Sequence, residues 1–223
     1  MKAKTILITG AGTGLGKELA VVYAQQGHRI ILVGRTETSL NEVKEVIESQ
    51  RGSGIVKTCD ITDPNAVQEM IQQLLETETI DQVINNAGIG YFRTLQDLTM
   101  TEISQMLDTN VKGTIYVTKA VLPTFLERDS GKIMNIISTA GLRGKVQETA
   151  YVASKFAVRG FTESLIKELA GTSITVSAVY MGGMDTPFWD DSDFVTDRSR
   201  LRSASEVARE IVEREDEEKL IIE

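Results

Sequence analysis

The fold is decided by the stretch TILITGAGTGLGKELA, which runs from Thr5 to Ala20. An apolar run in this stretch is followed by a glycine at every second position from Gly10 to Gly16. Glycine loses more conformational freedom on folding than any other residue, so four glycines so close together are costly. The pattern therefore predicts that some group lies too close to this backbone for a side chain to fit.

Two phosphate-binding loops nearly fit this stretch. The dinucleotide pattern Gly-x-Gly-x-x-Gly fails, because a start at the first or second glycine finds Leu15 or Lys17 at the last position. The mononucleotide pattern Gly-x-x-x-x-Gly-Lys-Ser/Thr also fails, with Ala11 in place of the first glycine and Glu18 in place of the magnesium-binding hydroxyl. The stretch alone therefore leaves the ligand open.

Composition limits the class of protein. The chain has 223 residues, of which 41% are hydrophobic and 25% charged, so we expect one α/β domain over residues 1–223. A net charge of -8 opposes nucleic-acid binding, which needs a basic face. The apolar N-terminal run is too short for a signal peptide, and no segment approaches the roughly 18 apolar residues of a membrane span. We therefore expect a cytoplasmic protein with neither nucleic-acid nor membrane partners.

The single cysteine and the single histidine limit the chemistry. Cys59 excludes an internal disulfide, and it ends the apolar-leaning run GIVKTC, which favours a place in the core. His28 lies in QQGHRI, a predicted helix-to-strand turn, which favours a structural role. A His-based hydrolytic triad and a zinc site are therefore not expected, and we predict no metal site.

Short β-rich runs alternate with longer helical patterns along the chain. The predicted strands are Lys4–Thr9, Arg29–Val33, Ile55–Thr58, Gln82–Asn85, Lys132–Ser138, Ile174–Tyr180 and Lys219–Ile222. The predicted helices are Gly14–Gln26, Glu37–Gln50, Pro64–Glu76, Glu102–Leu126, Ala150–Ala170 and Ser205–Glu215. The strands are apolar without clean alternation, which is typical of a parallel sheet covered by helices on both faces. We therefore predict an α/β fold with a Rossmann-type doubly wound parallel sheet, and a substrate loop at about 185–205.

In a doubly wound sheet the ligand lies beyond the carboxyl ends of the strands. The features that follow the predicted strands are the glycine loop, Gly34-Arg35-Thr36, Asp60-Ile61, the NNAG motif from Asn85 to Gly88, Ser138, and the MGGMDT stretch from Met181 to Thr186. A helix that begins near Ala150 carries Tyr151 and, four residues later, Lys155. These residues are the candidates for a common site.

Together, these motifs resemble the short-chain dehydrogenase/reductase family over nearly the whole chain. The family's Thr-Gly-x-x-x-Gly-x-Gly loop is matched by Thr9, Gly10, Gly14 and Gly16. The Asn-Asn-Ala-Gly motif, the helix asparagine Asn110, the serine Ser138 and the Tyr-x-x-x-Lys pair Tyr151 and Lys155 follow in the family's order. The resemblance implies a compact single-domain fold of about seven strands in the order 3-2-1-4-5-6-7.

The resemblance also implies a nicotinamide dinucleotide, whose pyrophosphate would lie at the first helix N-terminus, where unpaired N–H groups favour negative charge. The implied cofactor-binding residues are Gly10, Thr13, Gly14, Leu15, Gly16, Arg35, Asp60, Ile61, Asn86, Ala87, Gly88, Tyr151, Lys155 and Thr186. Gly34 stands where an acidic residue would bind the 2′-hydroxyl of NAD, and Arg35 can bind a 2′-phosphate. NADP(H) is therefore favoured over NAD(H).

By the same resemblance, Asn110, Ser138, Tyr151 and Lys155 are the catalytic residues. Tyr151 would be the general acid in reduction, Ser138 would bind the substrate oxygen, and Asn110 would hold a water in the proton relay. The spacing of four places Tyr151 and Lys155 on one helix face. A nearby ammonium favours the phenolate, so we expect Lys155 to lower the pKa of Tyr151.

The chain departs from the family pattern after the sixth strand, where Met181-Gly182 replaces Pro-Gly. Without the fixed φ of proline, we expect a less rigid turn before Thr186, the residue expected at the nicotinamide carboxamide. We also expect a homodimer or homotetramer, with dimerisation through the helices Glu102–Leu126 and Ala150–Ala170.

The sequence thus predicts an NADPH-dependent carbonyl reductase, or equivalently an alcohol dehydrogenase. If the apolar side chains near the predicted site line a pocket, a moderately hydrophobic ketone or aldehyde fits it; they are Tyr91, Phe92, Leu142, Phe188 and Trp189. One alternative is a non-catalytic NADP(H)-binding sensor on the same fold. A second is a nucleoside-triphosphate-dependent phosphotransferase that uses AGTGLGKE, although Glu18 cannot supply the neutral hydroxyl that holds magnesium.

Overall fold

The computed structural model describes residues 3–190, 194–195 and 197–222. Its strands are β1 (Thr5–Thr9), β2 (Arg29–Gly34), β3 (Ser53–Thr58), β4 (Gln82–Asn85), β5 (Gly131–Ile136), β6 (Ile174–Met181), β7 (Met184–Asp185), β8 (Arg202–Ser203) and β9 (Lys219–Ile222). Its helices are α1 (Gly14–Gln25), α2 (Glu37–Ser49), α3 (Pro64–Leu75), α4 (Met100–Leu107), α5 (Thr114–Arg128), α6 (Thr149–Glu168) and α7 (Ala204–Glu213).

Seven strands form one parallel sheet in the order β3-β2-β1-β4-β5-β6-β9. This confirms the predicted doubly wound sheet and its strand order, with β9 as the seventh strand. The order changes direction between β1 and β4, because the chain builds β2 and β3 on one side of β1 and the later strands on the other. A ligand site is expected at this switch point, beyond the carboxyl ends of β1 and β4.

Both faces of the sheet are buried. In β1, Ile6 and Ile8 pack into the cluster formed with α1, α2 and α7, whereas Leu7 packs into the cluster formed with α3, α5 and α6. All three side chains are fully buried. Because helices cover both faces, neither face of a central strand can be polar, which explains why the strand sequences do not alternate.

Three helices begin with side-chain caps. Asp63 Oδ1 accepts backbone N–H groups of Asn65 and Ala66 at 2.8 and 3.2 Å, and Pro64 is the first residue of α3. Capping boxes begin α4, with Thr99 and Glu102, and α7, with Ser203 and Glu206. Each cap satisfies N–H groups that a helix leaves unpaired at its first turn.

The prediction of one helix over Glu102–Leu126 is wrong. The chain forms α4, then a π-helical turn over Asp108–Gly113, and then α5, which runs on to Arg128. Inside the turn, the Asn110 side chain accepts the backbone N–H of Ile89 at 2.8 Å and donates to the Ile89 carbonyl at 2.9 Å. A widened turn presents this side chain to a neighbouring loop, and π turns occur often at functional sites.

The fifth strand ends at Ile136, so the prediction that Ser138 closes this strand is also wrong. Ser138 has a φ of 105° and precedes a short 3₁₀ turn over Thr139–Gly141. A residue with this φ cannot continue a β-strand, because strand residues have negative φ. Ser138 therefore lies in the loop beyond the sheet.

Part of the predicted substrate loop, residues 191–193 and 196, lies outside the described residues. In the described part, β7 pairs in parallel with β8, and Asp185 lies opposite Ser203. The sequence had indicated no strand in this stretch. Two-residue strands leave almost no periodic signal.

The single histidine, His28, and the single cysteine, Cys59, are both buried. His28 Nδ1 accepts the backbone N–H of Lys4 at 3.1 Å, which gives the ring a structural partner. Cys59 packs in the core with α3 and also borders the cavity described below. Among the described residues, no helix is both long and apolar enough to cross a bilayer.

Candidate active site

A cavity of about 730 Å³ lies at the carboxyl ends of the central strands. Arg35 and Asp60 line one end of it, where β2 and β3 stop, and Phe188 and Trp189 line the other. Tyr151 lies in its wall. Of the predicted site residues, all line this cavity except Gly16 and Asn110, which lie behind its surface.

The glycine loop is packed against its own backbone. A Cβ on Gly16 would lie 2.2 Å from the Gly10 carbonyl oxygen, and a Cβ on Gly10 would lie 2.9 Å from the Cα of Ala87. Gly10 also has a φ of 64°, where side chains are strained. These two glycines are therefore required by the fold itself, before any ligand binds.

Thr9 joins the loop after β1 to the loop after β4. Its hydroxyl oxygen accepts the backbone N–H groups of Asn86 and Ala87, each at 3.0 Å. In return, the Asn86 amide donates to the carbonyls of Thr9 and Gly10 at 2.9 and 3.3 Å. The side chain of Asn86 thus holds the loops together, and only its backbone remains to border a cofactor. The sequence motif contains Thr9 but gave no role for it.

The N-terminus of α1 faces the cavity without a side-chain cap. Thr13 occupies the cap position, but its hydroxyl makes no capping hydrogen bond. Gly14, with a φ of 53°, begins the helix, and a Cβ there would lie 3.4 Å from the Thr186 side chain. The first N–H groups of this helix therefore border open space, which suits an anion such as a pyrophosphate. The residues present fit a dinucleotide.

The far end of the cavity is polar. Arg35 is exposed there and forms no ion pair with any described residue, and it stands next to Thr36 and Ser39. Asp60 is held in its own turn, because its Oδ1 accepts the backbone N–H and the hydroxyl of Thr62 at 2.9 and 2.8 Å. Ile61 packs against Gly113. A free guanidinium at this position can bind a phosphate.

Tyr151 and Lys155 lie on α6, one turn apart, and are almost fully buried. The Lys155 Nζ lies 5.7 Å from the centre of the Tyr151 ring and donates to the Ile136 carbonyl at 3.3 Å. Burial lowers the pKa of Lys155 to about 8, because a low dielectric disfavours the ammonium. The lysine is therefore still largely cationic at neutral pH.

The prediction that the pKa of Tyr151 is lowered is wrong, because the groups around the phenol raise it. Burial raises the pKa of the phenol, and the Glu148 carboxylate raises it further. The Ser138 hydroxyl interacts with the phenol and lowers the pKa, but by less than burial raises it. Tyr151 therefore carries its proton at neutral pH.

Ser138 is held in a conformation that is uncommon for a residue with a side chain. Its φ of 105° lies in the region that favours glycine, and its hydroxyl oxygen accepts the backbone N–H of Ala140 at 3.2 Å. Strain of this kind persists only where the surroundings enforce it, and it concentrates at functional sites. The strained backbone aims a hydroxyl at Tyr151.

Asn110 supports the site from behind. Its Nδ2 donates to Ser154 Oγ at 2.9 Å, and that hydroxyl donates to the Tyr151 carbonyl at 2.7 Å. A Cβ on Gly88 would lie 3.2 Å from Asn110 Oδ1 and 3.5 Å from Lys155 Nζ, so three predicted residues converge here. Ser154 was not predicted, because a serine inside a helix gives no signal of its own.

The other end of the cavity is aromatic. Phe92 and Phe188 lie 5.3 and 6.0 Å from the Tyr151 ring, measured between centroids. Trp189 packs 4.8 Å from Phe92 and donates its indole N–H to the Met184 carbonyl at 2.9 Å. Tyr91 also lines the cavity, whereas Leu142 does not and packs in a separate core cluster.

The cavity is also lined by three charged residues that the sequence analysis missed, Arg93, Lys145 and Glu148. Glu148 lines the cavity although it is only 5% exposed. Its pKa is raised, chiefly by burial, and Lys145 opposes the rise. No sequence pattern could have found it, because the same glutamate before a helix is usually exposed.

The fold, the bare helix terminus and the buried phenol define a dinucleotide-dependent oxidoreductase of the Rossmann type. The family model described as short chain dehydrogenase matches residues 4–194. An uncharacterised oxidoreductase of Staphylococcus epidermidis is 34% identical over 195 residues, which cover 87% of this chain and 84% of that relative. The chain belongs to the short chain dehydrogenase family.

Two solved structures show the same fold. Actinorhodin polyketide ketoreductase with NADPH has a TM-score of 0.89 and 28% identity, covering 99% of this chain and 95% of its own. A short chain dehydrogenase/reductase from Burkholderia phymatum in complex with NAD has a TM-score of 0.89 and 23% identity, covering 99% and 89%. These neighbours bind one nicotinamide cofactor or the other, and this chain shares their fold.

Proposed function

We propose that this enzyme is an NADP(H)-dependent carbonyl reductase that interconverts a ketone or aldehyde and its alcohol. One observation carries the proposal. A buried phenol, a strained serine hydroxyl and a buried ammonium meet in the wall of a cavity that also contains an uncapped helix N-terminus. Proton donor and anion site thus share one cavity, as reduction by a phosphorylated coenzyme requires.

In this proposal Tyr151 donates the proton to the substrate oxygen, and Ser138 hydrogen-bonds the same oxygen. Lys155 holds the ribose of the cofactor and stabilises the phenolate that the proton transfer leaves behind. Asn110 positions the backbone of α6 through Ser154 and Ile89. When bound, the reduced nicotinamide supplies the hydride.

The protonation state of Tyr151 at neutral pH is the one that a reduction needs. Burial raises the pKa of Tyr151, so the phenol has a proton to give, whereas oxidation of an alcohol needs the phenolate. The ammonium of Lys155, with a pKa of about 8, is the opposing charge that makes the phenolate accessible during turnover.

Arg35 supports the choice of NADP(H). Gly34 removes the carboxylate that would repel a 2′-phosphate, and the Arg35 guanidinium has no partner among the described residues. We expect Arg35→Ala to weaken NADPH binding by about 10- to 100-fold, because a charge-assisted hydrogen bond to the phosphate is lost. NADH binding should change little, and titration of both by nicotinamide fluorescence measures the ratio. An equal loss for both cofactors would refute the assigned role.

The proposal also covers the substrate class, the domain organisation, the cellular location and the oligomeric state. Phe92, Phe188 and Trp189 favour a moderately hydrophobic small molecule as substrate. We also propose that residues 1–223 form one cofactor-binding domain with a substrate loop at about 185–205, that the enzyme is cytoplasmic, and that it forms a homodimer or homotetramer. No observation on the chain favours the sensor alternative.

The test is Tyr151→Phe, which removes the hydroxyl and keeps the ring that packs on Phe92 and Phe188. We expect kcat for NADPH-dependent reduction of a hydrophobic ketone to fall by about 10²- to 10⁴-fold, with NADPH binding retained. Tyr116→Phe, on α5 and outside the cavity, is the matched control and should keep its activity. Unchanged turnover in Tyr151→Phe would refute Tyr151 as the general acid, and a different residue would then donate the proton. Absence of turnover in the wild type would favour the sensor alternative.

A further inference from the structure

Glu148 is a buried carboxylate that the proposed chemistry does not use. It precedes α6 and faces the cavity three residues before Tyr151. Residues three apart lie on one side of a helix, so the carboxylate and the phenol border the same space about one helical turn apart. The raised pKa of Tyr151, to which Glu148 contributes, agrees with this proximity.

A structural role does not explain this carboxylate. Glu148 stands at the cap position of α6, yet its side chain makes no capping hydrogen bond. Its nearest cation among the described residues is Lys145, whose Nζ lies 3.8 Å from Oε2, too far for a hydrogen bond. No described residue donates a hydrogen bond to this carboxylate, and Glu148 borders the cavity. The carboxylate therefore has acceptor capacity that a ligand in the cavity can use.

Aromatic rings surround the space in front of the carboxylate. Phe92 and Phe188 lie 5.7 Å apart and both pack on Tyr151. A cation that pairs with Glu148 would lie close to these rings, whose faces also attract cations. Two cations also line the cavity: Arg93 is paired with Glu102 at 3.2 Å, and Lys145 is the group that competes for Glu148.

We propose that Glu148 selects carbonyl substrates that carry an ammonium group on the carbon next to the carbonyl. The ammonium pairs with the Glu148 carboxylate while the carbonyl oxygen meets Tyr151 and Ser138. One helical turn separates the two protein groups, and an α-amino ketone holds its two functional groups at a distance that can bridge them. This inference rests on the proposed carbonyl reductase function, and it names the substrate class for that site.

The test compares two substrates of nearly equal shape, α-aminoacetophenone and propiophenone. They differ by an ammonium in place of a methyl group, and both carry a phenyl ring for the aromatic end of the cavity. The measured quantity is the ratio of their kcat/KM values with NADPH. In the wild type we expect a ratio above one, and in Glu148→Gln we expect the ratio to fall about tenfold or more, because the charge is lost and the volume is kept.

Two further variants complete the experiment. Glu163→Gln removes an exposed glutamate on the same helix, paired with Arg159 at 2.7 Å, and should leave the ratio unchanged. Lys145→Met removes the competing cation and should raise the ratio, which keeps the proposal testable if Glu148→Gln does not fold. A ratio that is the same in the wild type, Glu148→Gln and Lys145→Met overturns this inference alone. If the wild type reduces neither ketone, the proposed function fails together with it.

Discussion

The two ends of the cavity are built in different ways. At the phosphate end, the contacts involve main-chain atoms: Gly16 lies against the Gly10 carbonyl, and the Thr9 hydroxyl accepts two backbone N–H groups of the loop after β4. At the substrate end, the contacts that line the cavity are made mainly by aromatic side chains. Backbone contacts cannot be changed by substitution without moving the fold, whereas side-chain contacts can.

The difference matches the two kinds of ligand, because a cofactor is common to many reactions whereas a substrate has to be selected. A dinucleotide has the same pyrophosphate in every reaction, so a fixed backbone suits it. Under the proposals above, a few side chains such as Glu148 and Phe92 select the substrate class next to the reacting group of Tyr151. Substitutions at the phosphate end should therefore cost stability, and those at the substrate end should mainly change activity.

The largest effect is expected at Gly16. A Cβ there would lie 2.2 Å from the Gly10 carbonyl oxygen and 2.5 Å from the Asn86 amide nitrogen. We expect Gly16→Ala to lower the free energy of unfolding by about 3 kcal/mol or more through overpacking. Gly160→Ala is the control, because Gly160 lies inside α6 with nothing within 4 Å of its Cβ position. That change should stabilise the protein by about 0.5–1 kcal/mol. Urea unfolding measures both, and equal midpoints would contradict a backbone-packed loop.

Lys155 stands where the two ends meet, and it should make stability depend on pH. Its pKa is lowered from 10.5 to about 8 by burial, so between these values the unfolded chain binds more protons than the folded chain. The Lys155 contribution to stability therefore rises from about pH 8 to about pH 10, on the order of 1–3 kcal/mol.

The measurement for Lys155 is the difference between the wild type and Lys155→Met in urea unfolding across this pH range. The subtraction removes the contributions of the other titrating groups. One of these is Tyr151: its raised pKa means that the tyrosine of the unfolded chain ionises first, so its contribution lowers the free energy of unfolding above about pH 10. A difference that stays flat with pH would show that the ammonium is solvated in the folded protein.

The smallest effect on stability is expected at Ser138, on the substrate side. Ser138→Gly and Ser138→Ala both remove the hydroxyl and should lower kcat by about 10²-fold if it stabilises the substrate oxygen. Only glycine relieves the φ of 105°, so the glycine variant should be more stable than the alanine variant by about 1 kcal/mol. Equal stabilities would mean that the backbone there is not strained.

Much of the fold followed from the sequence. Apolar runs without alternation predicted the parallel sheet, and the strand order that the family resemblance implied is confirmed by β3-β2-β1-β4-β5-β6-β9. Helix starts such as those after Asp63 and Ser203 carry local cap residues, because a helix terminus leaves N–H groups that only a few side chains satisfy. These signals are local, and local signals survive in a single sequence.

What the sequence missed depends on contacts between distant residues. The π turn contains Asn110, which bonds to Ile89, 21 positions earlier, and no helix propensity records that pairing. The direction of the Tyr151 pKa shift was wrong because spacing reveals a neighbouring charge but not burial, and burial is the larger cause. The burial of Glu148 escaped notice for the same reason. The assignment of the site residues to their roles stays a prediction.

Thr9 has a mechanical consequence. One hydroxyl group takes up two backbone N–H groups of a neighbouring loop, so neither loop can shift without leaving buried donors unpaired. The loops after β1 and β4, which border the proposed cofactor site, are thus held rigidly to each other. We therefore expect any movement that admits a ligand to involve the side chains and short strands on the opposite side of the cavity, around β7 and β8, rather than these two loops.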